Sequence, residues 1–335
     1  MQAEHVEHHV PAGAGPAAEP PLLVVEDLRI RLGDVAAVSG VSFNIDDGEI
    51  VGLVGESGGG KSITARSVVG LVPSYAEVSG SVRYRGEELL GLPAKRLRHI
   101  RGGEIGFVFQ DALTALDPVY PVGYQLTEAL RAHRPLSRRL ARQRAADLLA
   151  EVQIRDPARC LDSYPHQLSG GMRQRVMIAM ALIADPRLII ADEPTSALDV
   201  TVQHRVLRLL SEICENRGTA ILLITHDLGV VAQLCDRVLV LYGGIVVEEA
   251  DVVSLFDRPW HPYTDALLRI LPRLGNRGDL RPLPGTMTPV FGELTCCPFH
   301  LRCERQLPQC HTALPPETRD QGRRVRCHLG AGGLQ

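Results

Sequence analysis

The sequence is poor in aromatic residues and has no long apolar run. Phe, Trp and Tyr make up only 4% of its 335 residues, and there is a single Trp. No apolar run approaches the roughly 20 residues that a transmembrane helix needs, so we do not expect the chain itself to cross a bilayer. Residues 1–21 lack the apolar segment of a signal peptide, and we expect them to form a disordered tail.

The chain also lacks a large excess of charge of either sign. Its 36 Lys and Arg residues nearly balance its 39 Asp and Glu residues, which gives a net charge of −3. Such a surface provides no strong field that would attract nucleic acid or anionic lipid, and no nucleic-acid partner is expected. The 45% of hydrophobic residues is typical of a folded globular protein, and the length suits one large domain with a smaller appendage.

One glycine-rich run carries the strongest chemical signal. It follows a strand-like segment, Glu49–Val54, and opens a segment typical of a helix, Lys61–Leu71. Backbone amides of such a loop wrap phosphate oxygens, the lysine reaches the β- and γ-phosphates, and the serine ligates Mg²⁺. The alternative is a plain turn before a helix, which the flanking strand and helix disfavour. The predicted ATP-binding residues are Gly55, Glu56, Ser57, Gly58, Gly59, Gly60, Lys61, Ser62 and Ile63.

A second run is apolar and ends in two acids, and it predicts catalytic residues at the end of a buried strand. Leu188–Ala191 is continuously apolar, as expected of a buried parallel strand, and Asp192 and Glu193 follow it. Ligands gather at the carboxyl ends of such strands. We therefore expect Asp192 to hold Mg²⁺ and Glu193 to polarise the attacking water. An isolated acidic strand end is the alternative, and the phosphate loop earlier in the chain argues against it.

Further segments resemble motifs of ABC-type ATPases. The position of Gln110 resembles the Q-loop, and that of His226 resembles the switch histidine. Another run resembles the signature motif of the family, although by itself it could be only the capped start of a helix. It comprises Leu168, Ser169, Gly170, Gly171 and Met172. A further run resembles the D-loop and comprises Ser196, Ala197, Leu198 and Asp199.

The resemblance implies both a fold and a mechanism. The fold is α/β, that of a P-loop NTPase of ABC type with an antiparallel β subdomain and a helical subdomain at about 112–167. The ATPase domain would span 22–256, and a small Cys-rich C-terminal extension would span 257–335. Gln110 would join Ser62 and Asp192 around Mg²⁺, while Glu193 and His226 would carry out hydrolysis. Two such domains would share each ATP between the phosphate loop of one and the signature motif of the other.

Several positions depart from the family pattern, and one of them concerns the adenine. Many ABC ATPases place an aromatic side chain against adenine in a region that Leu32 or a neighbour occupies here. No aromatic residue lies between Leu22 and Val41. We therefore expect nucleotide affinity to depend mainly on the phosphates.

A narrower resemblance links the chain to the dipeptide/oligopeptide/nickel importer subfamily. It rests on Tyr164–Arg175, on Phe109–Asp111, and on His261–Leu268 and Cys297–Cys303 in the tail. It implies an ATP-hydrolysing subunit that powers peptide import, bound peripherally at the cytoplasmic face of the inner membrane. The implied partners are a paralogous ATPase, two membrane permease subunits and, indirectly, an external solute-binding protein. The same role with nickel, a metallophore or glutathione as cargo stays open.

Two hypotheses from other functional classes fit less well. An ABC ATPase that acts on DNA or ribosomes would carry a long coiled-coil insertion or a second ATPase module, and the sequence contains one phosphate loop and no internal repeat. A regulatory protein that binds ATP without turnover would lack Glu193 or His226, and both residues are present.

The eight cysteines fall into two groups. Cys160, Cys214 and Cys235 are scattered, and we expect them to be buried as small hydrophobic residues. The other five lie in the tail, where a cytosolic protein would not carry structural disulfides, so they suggest a metal. Their spacing fits no usual zinc site.

The tail cysteines resemble the cluster-binding tail of dipeptide-importer ATPases. This implies a structural [4Fe–4S] cluster held by Cys297, Cys303, Cys310 and Cys327. The alternatives are unliganded thiols, or zinc with ligands among His300, His311 and His328. Cys296 is expected to be a spare cysteine, and its position beside Cys297 leaves the choice of ligand between the two open. Because the tail follows the last ATPase element, we expect the loss of Cys303 to leave nucleotide binding intact.

Overall fold

The computed structural model of the chain describes residues 20–195, 200–270, 283 and 285–333. Up to residue 108, strands alternate with helices α1 (Lys61–Val68) and α2 (Ala94–Gly103). The strands are β1 (Leu23–Leu32), β2 (Val35–Ile45), β3 (Ile50–Val54), β4 (Ala76–Tyr84), β5 (Glu87–Glu88) and β6 (Ile105–Val108). Helix α1 is shorter than predicted, because Gly70 takes a positive φ of 65° and ends the helical path.

The middle of the chain is helical, as the spacing of its apolar residues predicts. Its helices are α3 (Ala112–Ala115), α4 (Val122–His133), α5 (Arg138–Glu151), α6 (Pro157–Asp162) and α7 (Gly170–Leu182). Leu126 and Leu130 of α4 and Leu148 of α5 are fully buried, so these helices pack through their apolar faces. The predicted helices at Tyr124–His133 and Ser137–Val152 are confirmed.

The last part returns to alternating strands and helices. Its strands are β7 (Leu188–Asp192), β8 (Ala220–Thr225), β9 (Arg237–Tyr242), β10 (Ile245–Asp251), β11 (Glu317–Asp320) and β12 (Arg323–Arg326). Its helices are α8 (Val200–Arg217), α9 (Leu228–Leu234), α10 (Val252–Asp257) and α11 (Pro262–Arg269). The antiparallel pairing of β9 with β10 confirms the hairpin predicted around Gly243 and Gly244.

The described strands form two sheets. The first is antiparallel, with the order β2-β1-β4-β5, and it confirms the predicted antiparallel subdomain. The second has the order β11-β12-β10-β9-β3-β8-β7-β6, and its strands from β9 to β6 are parallel. Every residue of β3, β7 and β8 is buried, because one face of this centre packs against α1 and the antiparallel sheet and the other against helices. The carboxyl ends of these strands therefore meet at one edge.

The sequence predicts an aperiodic extension after residue 256, yet part of it belongs to the core. Strand β12 pairs with β10, where Val325 lies opposite Glu248, and so adds the β11–β12 hairpin to the main sheet. Tyr263 and Leu268 of α11 are buried in the main core. The sequence did not predict these elements, because strands of four residues rich in charge carry little apolar alternation.

Candidate nucleotide-binding site

The phosphate loop connects β3 to α1, and backbone geometry explains its glycines. Gly60 is the residue before α1 and has a φ of 97°, in the left-handed region that favours glycine. A Cβ atom on Gly60 would lie 2.5 Å from the carbonyl oxygen of Ala37, and one on Gly55 would lie 2.2 Å from that of Leu241. Larger residues at these two positions would therefore push the loop away from its neighbours.

Lys61 is folded over the loop. Its Nζ donates to the carbonyl oxygens of Gly55 and Glu56, each at 2.8 Å, and the residue is buried. Burial lowers the pKa of the Lys61 ammonium, and the nearby carboxylates of Glu193 and Asp192 act in the opposite direction. A positive charge is thus held where the loop amides converge, which is the arrangement that a polyphosphate requires.

Asp192 lies at the end of β7 and is fully buried. The Ser62 hydroxyl donates to Asp192 Oδ1 at 2.7 Å, and Arg66 Nη2 lies 3.2 Å from Asp192 Oδ2. A hydroxyl and a carboxylate are the hard oxygen ligands that Mg²⁺ prefers. The structure therefore brings together two of the three residues predicted to hold the metal. Sequence reasoning missed Arg66, whose spacing on α1 gave no separate signal.

Glu193 is held between the ends of two other strands. Gln110, which lies two residues after β6, donates from Nε2 to Glu193 Oε2 at 2.8 Å. His226, which follows β8 directly, places Nδ1 at 3.2 Å from Glu193 Oε1. Glu193 itself has a φ of 46°, which is uncommon for a residue with a side chain. The amide of Gln110 thus contacts the predicted catalytic carboxylate rather than Ser62 or Asp192.

A cleft of about 420 Å³ runs beside the loop, and the tail lines part of it. Leu32 and Val35 face it from the hairpin between β1 and β2. The backbone amide of Ala36 donates to the carbonyl oxygen of Val290 at 2.8 Å, which fixes the tail segment beside this hairpin. The tail residues that line the cleft are Met287, Thr288, Pro289 and Val290. No sequence pattern pointed to these residues, because they lie some 250 positions after the hairpin that they contact.

The predicted signature run begins α7. Ser169 precedes the helix, and its hydroxyl accepts from the backbone amide of Met172 at 3.4 Å, as a helix cap does. Ser169 and Gly170 are exposed, whereas Leu168 is buried beneath them. A Cβ atom on Gly171 would lie 3.0 Å from the side chain of Val202 on α8. The predicted D-loop lies outside the described residues; it comprises Ser196, Ala197, Leu198 and Asp199. Residues 1–19 of the predicted N-terminal tail also lie outside them.

The cysteines follow the predicted division. Cys160, Cys214 and Cys235 are buried in the main core, which confirms their prediction, and burial raises the pKa of their thiols to about 11, 12 and 12. In the tail, burial raises the pKa of the Cys297 thiol to about 12. Within the described ranges, no three His, Cys, Asp or Glu side chains lie close enough together to hold a metal ion.

The chain contains no helix, among those that the structure describes, that is long and apolar enough to span a membrane.

Two family models match the chain. The model described as "ABC transporter" covers residues 38–196, and the model described as "Oligopeptide/dipeptide transporter, C-terminal region" covers residues 247–310. The chain is 45% identical over 316 residues to the dipeptide transport ATP-binding protein DppD of Bacillus subtilis, across 92% of this chain and 94% of that protein. It is 47% identical over 302 residues to the probable peptide ABC transporter ATP-binding protein y4tR of Sinorhizobium fredii, across 88% and 90% respectively.

A solved structure agrees with these matches. The ATP-binding cassette MJ0796, in a dimeric post-hydrolysis state bound to ADP and Pi, aligns with a TM-score of 0.62 and 30% identity. The alignment covers 69% of this chain and 98% of that one. The predicted family and the α/β fold of ABC type are confirmed. The chain belongs to the ABC transporter ATP-binding proteins, in the branch that carries the oligopeptide/dipeptide transporter C-terminal region, and it is an ATPase.

Proposed function

We propose that the chain is the ATP-hydrolysing subunit of a multi-subunit importer that carries peptides across the cytoplasmic membrane. The observation that carries this proposal is the similarity to peptide and dipeptide transport ATP-binding proteins, which extends through the tail as well as the ATPase region. We divide the chain into an ATPase domain, 22–256, with a helical subdomain at about 112–167, and a C-terminal extension, 257–335.

The proposed chemistry follows from the contacts at the strand ends. The loop amides and Lys61 bind the β- and γ-phosphates, because they present the positive charge of the site. Ser62 and Asp192, with Gln110, would hold Mg²⁺, which would neutralise charge on the phosphates. Glu193 orients the attacking water, and His226, at 3.2 Å from Glu193, holds the carboxylate and contacts the γ-phosphate. Gln110 links Glu193 to the helical subdomain that follows it.

The proposed site is completed by a second ATPase chain. Ser169 and Gly170 are exposed at the start of a helix, where a hydroxyl and free amides can meet the γ-phosphate of an ATP bound to the partner. The dimeric state of the similar cassette MJ0796 supports this arrangement. We propose that the partner is a paralogous ATPase. The two chains dock on two permease subunits at the cytoplasmic face of the membrane, and an external solute-binding protein delivers the cargo.

Reconstitution tests the proposal. The chain, its paralogous ATPase and both permeases are placed in proteoliposomes with the solute-binding protein, and uptake of labelled dipeptides and longer peptides is followed on addition of ATP. We expect ATP-dependent uptake that the Glu193→Gln variant abolishes. Uptake of nickel, a metallophore or glutathione without peptide would overturn the cargo but keep the motor role. ATP hydrolysis that permeases do not stimulate would overturn the transport role.

We also propose that the extension holds a [4Fe–4S] cluster on Cys297, Cys303, Cys310 and Cys327. The four thiols lie close enough to interact electrostatically with one another, and three of them are buried. A cubane is larger than a single ion and accepts four thiolates that are spread around it. The lack of a compact single-ion group among the residues that the structure describes is therefore compatible with this donor set. The cluster would cross-link a segment that has little apolar core of its own.

Anaerobic purification tests the cluster. We expect a brown protein with about four irons per chain, because four thiolates bind one cubane. The Cys303→Ser variant should lose this iron. The Cys296→Ser variant should keep it, because Cys296 is the proposed spare cysteine and places its Sγ 3.9 Å from His300 Nδ1. Zinc in place of iron, or no metal at all, would overturn the cluster.

A further inference from the structure

The C-terminal segment contacts the phosphate loop at Glu56. Arg302 donates from Nη1 to Glu56 Oε2 at 2.7 Å and from Nη2 to Glu56 Oε1 at 2.9 Å, so the guanidinium and the carboxylate form a two-bond fork. The side chain of Arg302 is only 8% exposed and that of Glu56 27% exposed. The two residues lie 246 positions apart. A paired arrangement of this kind is geometrically specific and is poorly replaced by a single point charge.

The same loop residue is held through its backbone. The amide of Glu56 donates to the hydroxyl of Tyr263 at 2.8 Å, and its carbonyl oxygen accepts from Lys61 Nζ at 2.8 Å. Glu56 therefore connects Tyr263 and Arg302, from the tail, to the lysine that faces the phosphates. A shift of Glu56 would move both the loop amide and the acceptor that orients Lys61.

A cluster of rings fixes the position of the two tail residues. Tyr263 packs against Tyr242 and Phe299, with ring centroids 4.6 and 5.4 Å apart, and all three rings are buried. Phe299 lies three residues before Arg302, and Tyr242 accepts from Arg302 Nη1 at 3.2 Å. The hydrogen bonds to Glu56 raise the pKa of Arg302, which stays charged. Buried, packed rings therefore hold the Arg302 side chain in place beside Glu56.

We propose that Arg302 is a positioning residue for ATP binding, which holds Glu56 so that the phosphate loop is preset before the nucleotide arrives. Tyr263 assists by holding the amide of Glu56. ATP affinity then depends on the folded C-terminal segment. This inference rests on the proposed ATP site and is independent of the cargo.

The test measures binding of a fluorescent ATP analogue to the isolated full-length chain, together with steady-state hydrolysis by the assembled complex. We expect Arg302→Gln to raise Kd and KM about tenfold and to change kcat less than twofold, because the residue orients the loop and touches no reacting atom. Arg302→Lys should recover part of the affinity, since it restores the charge but not the fork. Adding Glu56→Gln to Arg302→Gln should cost little more than either change alone.

Arg326→Gln is the matched control. Arg326 precedes Cys327 as Arg302 precedes Cys303, and it pairs with Glu317 at 3.2 Å within the tail hairpin. We expect this variant to bind the analogue like the wild type. Equal weakening by Arg326→Gln and Arg302→Gln would overturn the proposal, because it would reveal general loosening of the tail.

An unchanged Kd for folded Arg302→Gln would overturn the proposal as well. If Arg302→Gln does not fold, Arg302→Lys and Tyr263→Phe decide the matter, since Tyr263→Phe removes the acceptor hydroxyl and keeps the ring; normal affinity in both would exclude the positioning role. Wild-type chain that fails to bind the analogue would instead contradict the ATP site itself, so the two failures are distinguishable.

Discussion

The nucleotide site and the C-terminal segment are built in different ways. The site gathers its residues at the ends of adjacent parallel strands, so that each motif reaches its place through continuous backbone hydrogen bonding. The C-terminal segment joins the main sheet through the pairing of β12 with β10, and single buried side chains make several of its other contacts. Glu248, fully buried in β10, accepts from the amides of Trp260 and His261 at 2.8 and 2.9 Å and from Arg323 at 3.1 Å. A strand edge tolerates the loss of one contact, whereas a buried charge does not.

The junction between the C-terminal segment and β10 contains buried charge. Burial raises the pKa of Glu248, and the contacts with Trp260, His261 and Arg323 oppose that shift. The guanidinium of Arg323 also lies 4.0 Å from the centre of the Trp260 ring. The junction therefore depends on compensated buried charge, so we expect it to be the region most sensitive to single substitutions and to pH.

The largest expected effect is at the nucleotide site, where one substitution should lower the rate of hydrolysis without changing ATP affinity. Glu193→Gln should lower turnover in the assembled complex by about a hundredfold or more, because it removes the carboxylate that orients water. ATP affinity should stay near that of the wild type, since Lys61 and the loop amides are untouched. Hydrolysis within a few-fold of wild type would exclude Glu193 as the catalytic residue.

The second effect concerns the dependence of the loop on the tail. Cys303→Ser should lower the free energy of unfolding by about 2–3 kcal/mol, because it would remove a ligand of the proposed cluster. It should also weaken nucleotide binding, because Cys303 adjoins Arg302. This differs from the expectation drawn from the sequence, in which binding survives the loss of Cys303. Thermal melting and ATP binding, with Cys296→Ser as the control, will distinguish the two.

The third effect is pH dependence at the junction. Complete burial lowers the pKa of His261 to about 3, below its ordinary value of 6.5, and Glu248 is the acid that faces its amide. The unfolded chain then binds the additional proton between these values, so this contribution to stability is full above about pH 6.5 and falls as the pH decreases towards 3. From pH 7 to pH 5 the loss is about 2 kcal/mol.

The variant His261→Asn isolates this contribution. Asparagine keeps an acceptor for the amide of Tyr263, which His261 Nδ1 accepts at 3.0 Å, but it does not titrate. Chemical unfolding at pH 7 and pH 5 should therefore show a smaller loss for the variant. An equal loss in both proteins would mean that His261 does not set the pH dependence.

The smallest effect belongs to the signature run. Ser169→Ala should cost about 1 kcal/mol of stability, because it removes a helix cap. It should leave ATP binding by the isolated chain unchanged, since Ser169 is proposed to act on the ATP of the partner. Hydrolysis by the assembled complex should fall several-fold. A fall in affinity of the isolated chain would contradict the proposed shared site.

Several features of the site could be predicted because they are local in sequence. The glycines before Lys61 and the acids after an apolar strand are chemical requirements that neighbouring residues fulfil together. The order of these motifs identified the family. That Gln110 joins Ser62 and Asp192 around Mg²⁺ stays a prediction, because the direction of an amide side chain depends on the strand beside it. Its contact with Glu193 appears only in the folded chain.

The sequence by itself determined where backbone must approach phosphate, where strands end in acids, and which helices cover the sheet, since each depends on residue types at short spacing. Only the tertiary structure decided how the tail meets the nucleotide site. The fork between Arg302 and Glu56, the hydroxyl of Tyr263 on the loop, and Val290 beside Ala36 join segments more than 200 positions apart. Such contacts leave no periodic pattern in either segment, because the side chains complement each other only once the sheet and the ring cluster have brought them together.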